Sequence, residues 1–154
     1  MLTSLRLVRQ GRLTRRRILT AGDAYRVLRL LAHGLDREHF WRLDLDARGW
    51  LLGCEVVSVG SLDATIVHPR EVFKGALLSN ASRIMVAHNH PSQDSRPSSE
   101  DCFTTERLGL AGRLLGVDLV DHLILTDGGF FSFKSCGRAA TRSGRRRGIR
   151  RRSR

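Results

Sequence analysis

The sequence has few cysteines and no long apolar run, and these two absences exclude several classes of protein. Its three cysteines, Cys54, Cys102 and Cys136, are odd in number and form no C-x-x-C pair. This argues against a disulfide framework and is typical of a protein of the reducing cytoplasm. No segment approaches the roughly 18 apolar residues that a membrane helix needs. Arginines also interrupt the first residues, so we expect neither a secretory signal nor a membrane partner.

Acidic residues are absent from both ends of the chain. Residues 1–20 contain six arginines and residues 138–154 contain nine. These ends contribute +6 and +9 to a net charge of +12, which leaves −3 for the segment between them. We therefore predict a basic segment at 1–19, a folded domain at 20–137 and a disordered Arg-rich tail at 138–154. The tail could bind nucleic acid weakly and nonspecifically through phosphates, or it could have no selected partner. The basic segment at the start also resembles a mitochondrial transit peptide.

The most informative motif is His88-Asn89-His90-Pro91, followed by Asp101 eleven residues after His90. The apolar residues 84–87 predict a buried strand, whose alternation directs both imidazoles to one face and allows them to share a Zn²⁺ ion. Asp101 falls in the first turn of a helix predicted from Ser98, where the helix dipole favours a carboxylate. Three ligands leave one position of a tetrahedral ion for water, as in catalytic sites. The alternatives are polar histidines at a strand end and a simple capping box at the helix start.

Hydrophobic periodicity and turn residues predict an α/β domain with the element order αββ(β)αβαββ. In the first strand we expect Leu43 and Leu45 to point inward and Asp44 and Asp46 to point outward. The order implies a mixed β-sheet with flanking helices in a single domain. The predicted helices start near residues 20, 69 and 98, and the predicted strands cover residues 40–46, 50–59, 65–67, 84–88, 117–126 and 130–133.

The string His-x-His-Pro-x6-Ser-x2-Asp, with Ser98 in the serine position, resembles the JAMM motif of the MPN/JAB metalloprotease superfamily. Its flanks resemble the RadC-like branch of that superfamily, and the resemblance covers residues 20 to 137. It implies an MPN/JAB-like, cytidine-deaminase-like sandwich with Zn²⁺ at a strand end, held by His88, His90 and Asp101. One departure is Gln93, where that branch usually has glycine. The resembling flanks are residues 67–73, 80–82, 87–92, 97–101, 121–124 and 132–133.

The resemblance also implies catalytic roles. The family uses an upstream glutamate, near the start of its first sheet strand, to transfer protons, and Glu38 occupies the matching place. Glu55 and Glu71 are the competing candidates. Ser98 would support the oxyanion that forms when a carbonyl is attacked, although it could instead be a helix N-cap, and one hydroxyl cannot fully serve both tasks. His122 could contact a metal ligand, but an ordinary core or rim histidine is the favoured interpretation.

These residues bear on three candidate functions. The leading hypothesis is a cytoplasmic zinc-dependent hydrolase of the metallopeptidase or isopeptidase type, acting on a peptide or isopeptide amide. The alternative is a DNA-repair-associated or nucleic-acid-associated module in which the zinc is structural or vestigial, and the Arg-rich ends are its main support. A zinc nucleoside deaminase is excluded, because the sequence contains neither a His-x-Glu pair nor a Pro-Cys-x-x-Cys motif.

Overall fold

A five-stranded mixed sheet forms the centre of the computed structural model, which describes residues 16–60 and 67–136. The strands lie in the order β2-β1-β3-β4-β5, and β3 and β4 are parallel whereas the other neighbours are antiparallel. The predicted α/β architecture, a mixed sheet with flanking helices in one domain, is confirmed. The elements are α1 (Ala21–Ala32), β1 (His39–Leu45), β2 (Leu51–Val59), α2 (Pro69–Leu78), β3 (Arg83–Asn89), α3 (Ser99–Leu115), β4 (Asp118–Thr126) and β5 (Gly129–Ser132).

Both faces of the sheet are covered, because helix α1 packs on one face and helices α2 and α3 pack on the other. The alternation of β1 follows this arrangement. Trp41, Leu43 and Leu45 belong to the core cluster under α1, while Phe40 belongs to the cluster under α2 and α3. Each strand position near the centre of the sheet therefore meets a helix, whichever way it points.

The expectation that Asp44 points outward to solvent is wrong. Its side chain is buried beneath α2, where it accepts a hydrogen bond of 2.6 Å from Nε of the buried Arg42. The same guanidinium donates to Glu55 at 2.5 Å and to the carbonyl oxygen of Val72 at 2.8 Å. A polar–apolar alternation cannot distinguish a solvated face from a helix-covered face whose charges are paired, and this explains the error.

The predicted helix starts are confirmed by the residues at the helix amino termini. Thr20 begins α1 in a capping box with Asp23, and Ser98 begins α3 in a capping box with Asp101. Helix α3 ends at Gly116, which has a left-handed φ of 69° that glycine adopts without steric cost. None of the helices within the described ranges is long and apolar enough to cross a membrane.

Packing at the amino-terminal side begins ahead of residue 20. The N–H of Ile18 donates to the carbonyl oxygen of Gly49 at 2.8 Å, and the Ile18 side chain is buried in the cluster under α1. Arg17 also forms an isolated β-bridge with Trp50. The rest of the predicted basic segment, the Arg-rich tail and most of the predicted strand at 65–67 lie outside the described residues.

Candidate metal centre

Strand β3 and the start of helix α3 bring the three predicted ligands together. The Nε2 atoms of His88 and His90 lie 2.9 Å apart. Oδ1 of Asp101 lies 3.1 Å from Nε2 of His88, and its Oδ2 lies 3.6 Å from Nε2 of His90. A tetrahedral zinc ion with bonds of about 2.0–2.1 Å has ligand–ligand distances of about 3.3–3.4 Å. These three residues therefore could hold one metal ion.

The loop after β3 orients the ring of His90. Nδ1 of His90 lies 2.6 Å from the carbonyl oxygen of Asp94, so Nδ1 must donate and Nε2 is left to face Asp101. The hydrogen bond with Asp101 raises the pKa of His90, burial opposes the rise, and Glu38 adds a smaller electrostatic contribution. Nε2 of His90 therefore lies near negative charge, which favours a proton or a metal ion at this nitrogen.

Asp101 belongs to the helix cap and to the ligand cluster at once. Its Oδ2 accepts a hydrogen bond of 2.8 Å from the N–H of Ser98. Burial raises the pKa of the Asp101 carboxyl, but the imidazoles of His88 and His90 beside it outweigh burial and hold this pKa well below its usual range. The capping box and a place in the candidate ligand cluster, which the sequence left as alternatives, occur together in the one Asp101 carboxylate.

Ser98 caps α3 by accepting a hydrogen bond of 3.1 Å from the N–H of Asp101. Accepting this bond uses a lone pair of Oγ and leaves the hydroxyl proton free, because a hydroxyl has one donor and two acceptor positions. The cap therefore leaves the hydroxyl proton available for donation to another acceptor, and a role for Ser98 beyond the cap stays a prediction. The side chain is exposed beside the ligand cluster.

Glu38 lies just before β1, on the side of the sheet that carries the ligands. Phe40 pairs with His88, and continuing this antiparallel register by two residues brings Glu38 opposite His90. Asn89 fixes the backbone on both sides of Glu38. Its Oδ1 accepts from the N–H of His39 at 2.7 Å, and its Nδ2 donates to the carbonyl oxygen of Arg37 at 3.0 Å.

The two competing glutamates are engaged elsewhere. Glu55 pairs with the buried Arg42 in the middle of the β1–β2 ladder. Glu71 lies in the first turn of α2 and pairs with Lys74 and Arg70. Within the described residues, neither glutamate pairs with His88, His90 or Asp101.

Gln93, the departure from the family pattern, adopts a left-handed backbone with φ of 63°. Glycine adopts such a conformation most readily, which accounts for the residue usual at this position in the resembling branch. The Gln93 side chain compensates by accepting a hydrogen bond of 2.7 Å from the N–H of Asp127. The loop thus keeps the turn, and the N–H of Gln93 still donates to the carbonyl oxygen of His90 at 3.0 Å.

His122 on β4 is buried and touches a candidate ligand, so both interpretations left open by the sequence hold. Its Nε2 lies 2.8 Å from Nδ1 of His88. Burial, with a smaller contribution from His88, lowers the pKa of His122 to about 3, so this ring is neutral. Thr105, which the sequence reasoning missed, lies 2.6 Å from Nδ1 of His122. Its position four residues after Asp101, on one helix face, is the signal that could have indicated it.

A cavity of about 300 Å³ opens beside His90, between α1 and the carboxyl end of β4. Its walls combine apolar residues such as Leu35 and Leu125 with the polar side chains of Arg29 and Asp127. The ligand cluster therefore adjoins a recess that is large enough for one or two amino-acid side chains.

Fold and cluster together define an α/β domain of the JAB/MPN type with a possible His-His-Asp metal site. A family model described as the RadC-like JAB domain matches residues 18–138, and the chain belongs to that family. The resemblance to the RadC-like branch is thereby confirmed.

Relatives support this assignment. A UPF0758 protein of Methanosarcina acetivorans is 46% identical over 123 residues, which are 80% of this chain and 54% of the relative. A UPF0758 protein of Shouchella clausii is 44% identical over 136 residues, which are 88% of this chain and 59% of the relative. The chain thus spans little more than half the length of these relatives.

Proposed function

We propose that this chain is a zinc-dependent hydrolase that cleaves a peptide or isopeptide amide. The observation that carries the proposal is the convergence of two imidazole nitrogens and one ionised carboxylate beside Glu38. A zinc ion held by His88, His90 and Asp101 would supply Lewis-acid activation of water and of the substrate carbonyl. Nitrogen and carboxylate donors at these separations suit zinc.

Glu38 is proposed to take the proton from the attacking water and to return it to the leaving amine. Support comes from its place opposite His90, from its electrostatic effect on that ring and from the two hydrogen bonds by which Asn89 holds its neighbours. The competing glutamates lack this support, because Glu55 pairs with Arg42 and Glu71 pairs with Lys74 and Arg70.

Ser98 is proposed to donate its free hydroxyl proton to the oxygen on which negative charge develops. A single donor in such a place contributes about 2.7–4 kcal/mol to transition-state stabilisation. The cavity beside His90 is proposed to accept a side chain next to the scissile bond, which would orient the amide over the three ligands. The three free cysteines support a reducing, cytoplasmic location for this activity.

The test is to compare Glu38→Gln with Glu71→Gln in the full chain, on a panel of peptide and isopeptide substrates. Both variants remove one carboxylate and keep the side-chain size, but Glu71 is remote from the cluster. We expect Glu38→Gln to keep its zinc by elemental analysis and to lose about 10²–10⁴-fold in kcat. Glu71→Gln should match the wild type, and the double variant His88→Ala/His90→Ala should lose both zinc and activity.

Each contrary result has a distinct meaning. Loss of zinc from Glu38→Gln would make Glu38 a ligand, and wild-type turnover would move the base elsewhere. Equal zinc in the wild type and the double histidine variant would refute the ligand assignment. A wild-type chain that binds zinc and cleaves nothing on the panel would count against the hydrolase.

A nucleic-acid-associated module is the second candidate, and the arginines at the two ends are the observation that favours it. Residues 138–154 carry nine arginines without an acid, which is the pattern of a nonspecific phosphate-binding tail. Residues 21–137, by contrast, carry a net charge of −3. Such a function would therefore be proposed for the ends of the chain and not for the ligand cluster.

A further inference from the structure

A line of hydrogen bonds, partly buried at Thr105 and buried at His122, runs from helix α3 through β4 to Nδ1 of His88. Oγ1 of Thr105 lies 2.6 Å from the carbonyl oxygen of Asp101 and 2.6 Å from Nδ1 of His122. Nε2 of His122 in turn lies 2.8 Å from Nδ1 of His88. His122 is only 1% exposed, so its two ring nitrogens depend on these protein partners and not on water.

The direction of every bond in this line follows from its first member. The Asp101 carbonyl oxygen has only lone pairs, so it must accept the single hydroxyl proton of Thr105. Oγ1 of Thr105 can then only accept from His122, which requires the His122 proton to be on Nδ1. The buried His122 ring has no carboxylate among its hydrogen-bond partners in the described residues, and a buried ring without such a partner is neutral. With its proton on Nδ1, its Nε2 has a lone pair and accepts a hydrogen bond from Nδ1 of His88.

We propose that Thr105 and His122 are positioning residues that hold His88 as the tautomer with its proton on Nδ1. An isolated neutral imidazole can carry its proton on either nitrogen. The opposite tautomer would place the proton on Nε2, where it would be donated to the Asp101 carboxylate 3.1 Å away and would occupy the place of a cation. The line of bonds removes that competitor and leaves a lone pair of Nε2 for a cation. The inference rests on the proposed metal site but not on hydrolysis.

Packing alone is the competing explanation for His122. Its ring stacks on Phe133 with centroids 5.0 Å apart and meets Phe40 edge-on at 5.6 Å. These contacts explain why an aromatic ring is buried there, but they require neither ring nitrogen. Thr105 has no such role, because a methyl group would fill the place of its hydroxyl equally well. Removing the Thr105 hydroxyl therefore tests the positioning role without changing the packing.

The first measurement reads the tautomer directly in the metal-free full chain. Nitrogen-15 correlation spectra of the histidine rings at pH 8 distinguish a proton on Nδ1 from one on Nε2. We expect His88 to carry its proton on Nδ1 in the wild type. In Thr105→Val, which keeps the side-chain shape, we expect a mixture of both tautomers. Thr104→Val, the same change one residue earlier, is the matched control and should leave the spectrum unchanged.

The second measurement is the affinity for Zn²⁺ alone, in competition with a chelator. Loss of a partner behind a ligating histidine typically weakens metal binding by about 10–100-fold, and we expect this loss in Thr105→Val. Thr105→Ser restores a hydroxyl and should bind within a few-fold of the wild type. His122→Phe keeps the ring packing and should also bind weakly, whereas His122→Gln offers an acceptor to His88 and should recover part of the affinity.

The outcomes separate this inference from the proposed function. A wild-type His88 with its proton on Nε2, or a Thr105→Val chain with wild-type tautomer and zinc affinity, would overturn the positioning role. Should His122→Phe fail to fold, the Thr105 pair still decides the question. A wild type with the expected tautomer and tight zinc binding but no hydrolysis would support the inference while refuting the hydrolase.

Discussion

At the scale of single residues, Asp101 links the geometry of the ligand cluster to the start of α3. One carboxylate oxygen holds the N–H of Ser98, and the other faces His88. Any change that shifts the first turn of α3 therefore also shifts a candidate ligand. The cap is worth about 1 kcal/mol to the helix, and it fixes the position of the carboxylate relative to the helix start.

The left-handed backbone of Gln93 yields a prediction at this scale. Gln93→Ala loses the hydrogen bond with Asp127 and keeps the steric cost of a β-carbon, whereas Gln93→Gly loses only the hydrogen bond. We expect the glycine variant to be more stable than the alanine variant by about 1 kcal/mol. Urea unfolding of both proteins measures this difference. An alanine variant as stable as the glycine variant would contradict the left-handed conformation.

At the scale of secondary-structure elements, helix α3 buries few of its apolar side chains. Leu108 is fully buried against Phe73 and its neighbours in the cluster under α2 and α3, whereas Leu114 is 88% exposed. Phe103 and Leu110 are also exposed. The helix is therefore held to the sheet by a narrow contact, and most of its surface takes no part in the core.

This contrast predicts different costs for one substitution on the same helix. Leu108→Ala should lower the free energy of unfolding by about 2–5 kcal/mol, because it leaves a cavity in the core. Leu114→Ala, the matched control, should change it by less than about 0.5 kcal/mol. Both values come from chemical denaturation followed by circular dichroism. Similar losses in the two variants would show that the exposed face of α3 is covered in solution.

Local signals were sufficient to predict these elements, whereas contacts across the sheet were not predictable. The caps at Ser98 and Gly116, and the apolar run of β3, each act within a few residues of the chain. The buried pairing of Asp44 with Arg42 needed knowledge that α2 covers that face. The contact between His122 and His88 joins residues 34 positions apart, and it depends on the parallel pairing of β3 with β4.

The ligand cluster divides in the same way. His88, His90 and Asp101 were predicted because they lie in one short segment with a recognisable spacing. Asn89 was noted only as a spacer, yet its side chain holds the backbone on both sides of Glu38. Only the antiparallel pairing of β1 with β3 brings those two segments together. No local pattern within either segment predicts this pairing.

At the scale of the whole molecule, charge is divided between the ends and the domain. We expect removal of residues 138–154 to leave the melting temperature unchanged, since that segment has almost no apolar residues with which to join a core. Any binding to duplex DNA should disappear with the tail. In the full chain, each arginine–phosphate contact should steepen the dependence of log affinity on log salt by about 0.9.

A salt titration of both proteins on the same DNA checks this prediction. The truncated chain is itself the control for binding by the domain. Salt-sensitive affinity that survives truncation would favour the nucleic-acid module over the hydrolase. A large fall in melting temperature would instead show that the tail packs on the domain.

The candidate ligands and Glu38 come from different parts of the chain, and this predicts the order in which local opening would separate them. His88, His90 and Asp101 lie within fourteen residues, so gathering them closes only a short loop at little entropic cost. Glu38 arrives from fifty residues upstream, at a strand end, where local opening is easiest. If Asn89 released that end, the three candidate ligands would still lie together, but the proposed proton acceptor would be displaced. On the proposed function, such a chain would bind zinc without hydrolysing substrate, before the domain as a whole unfolded.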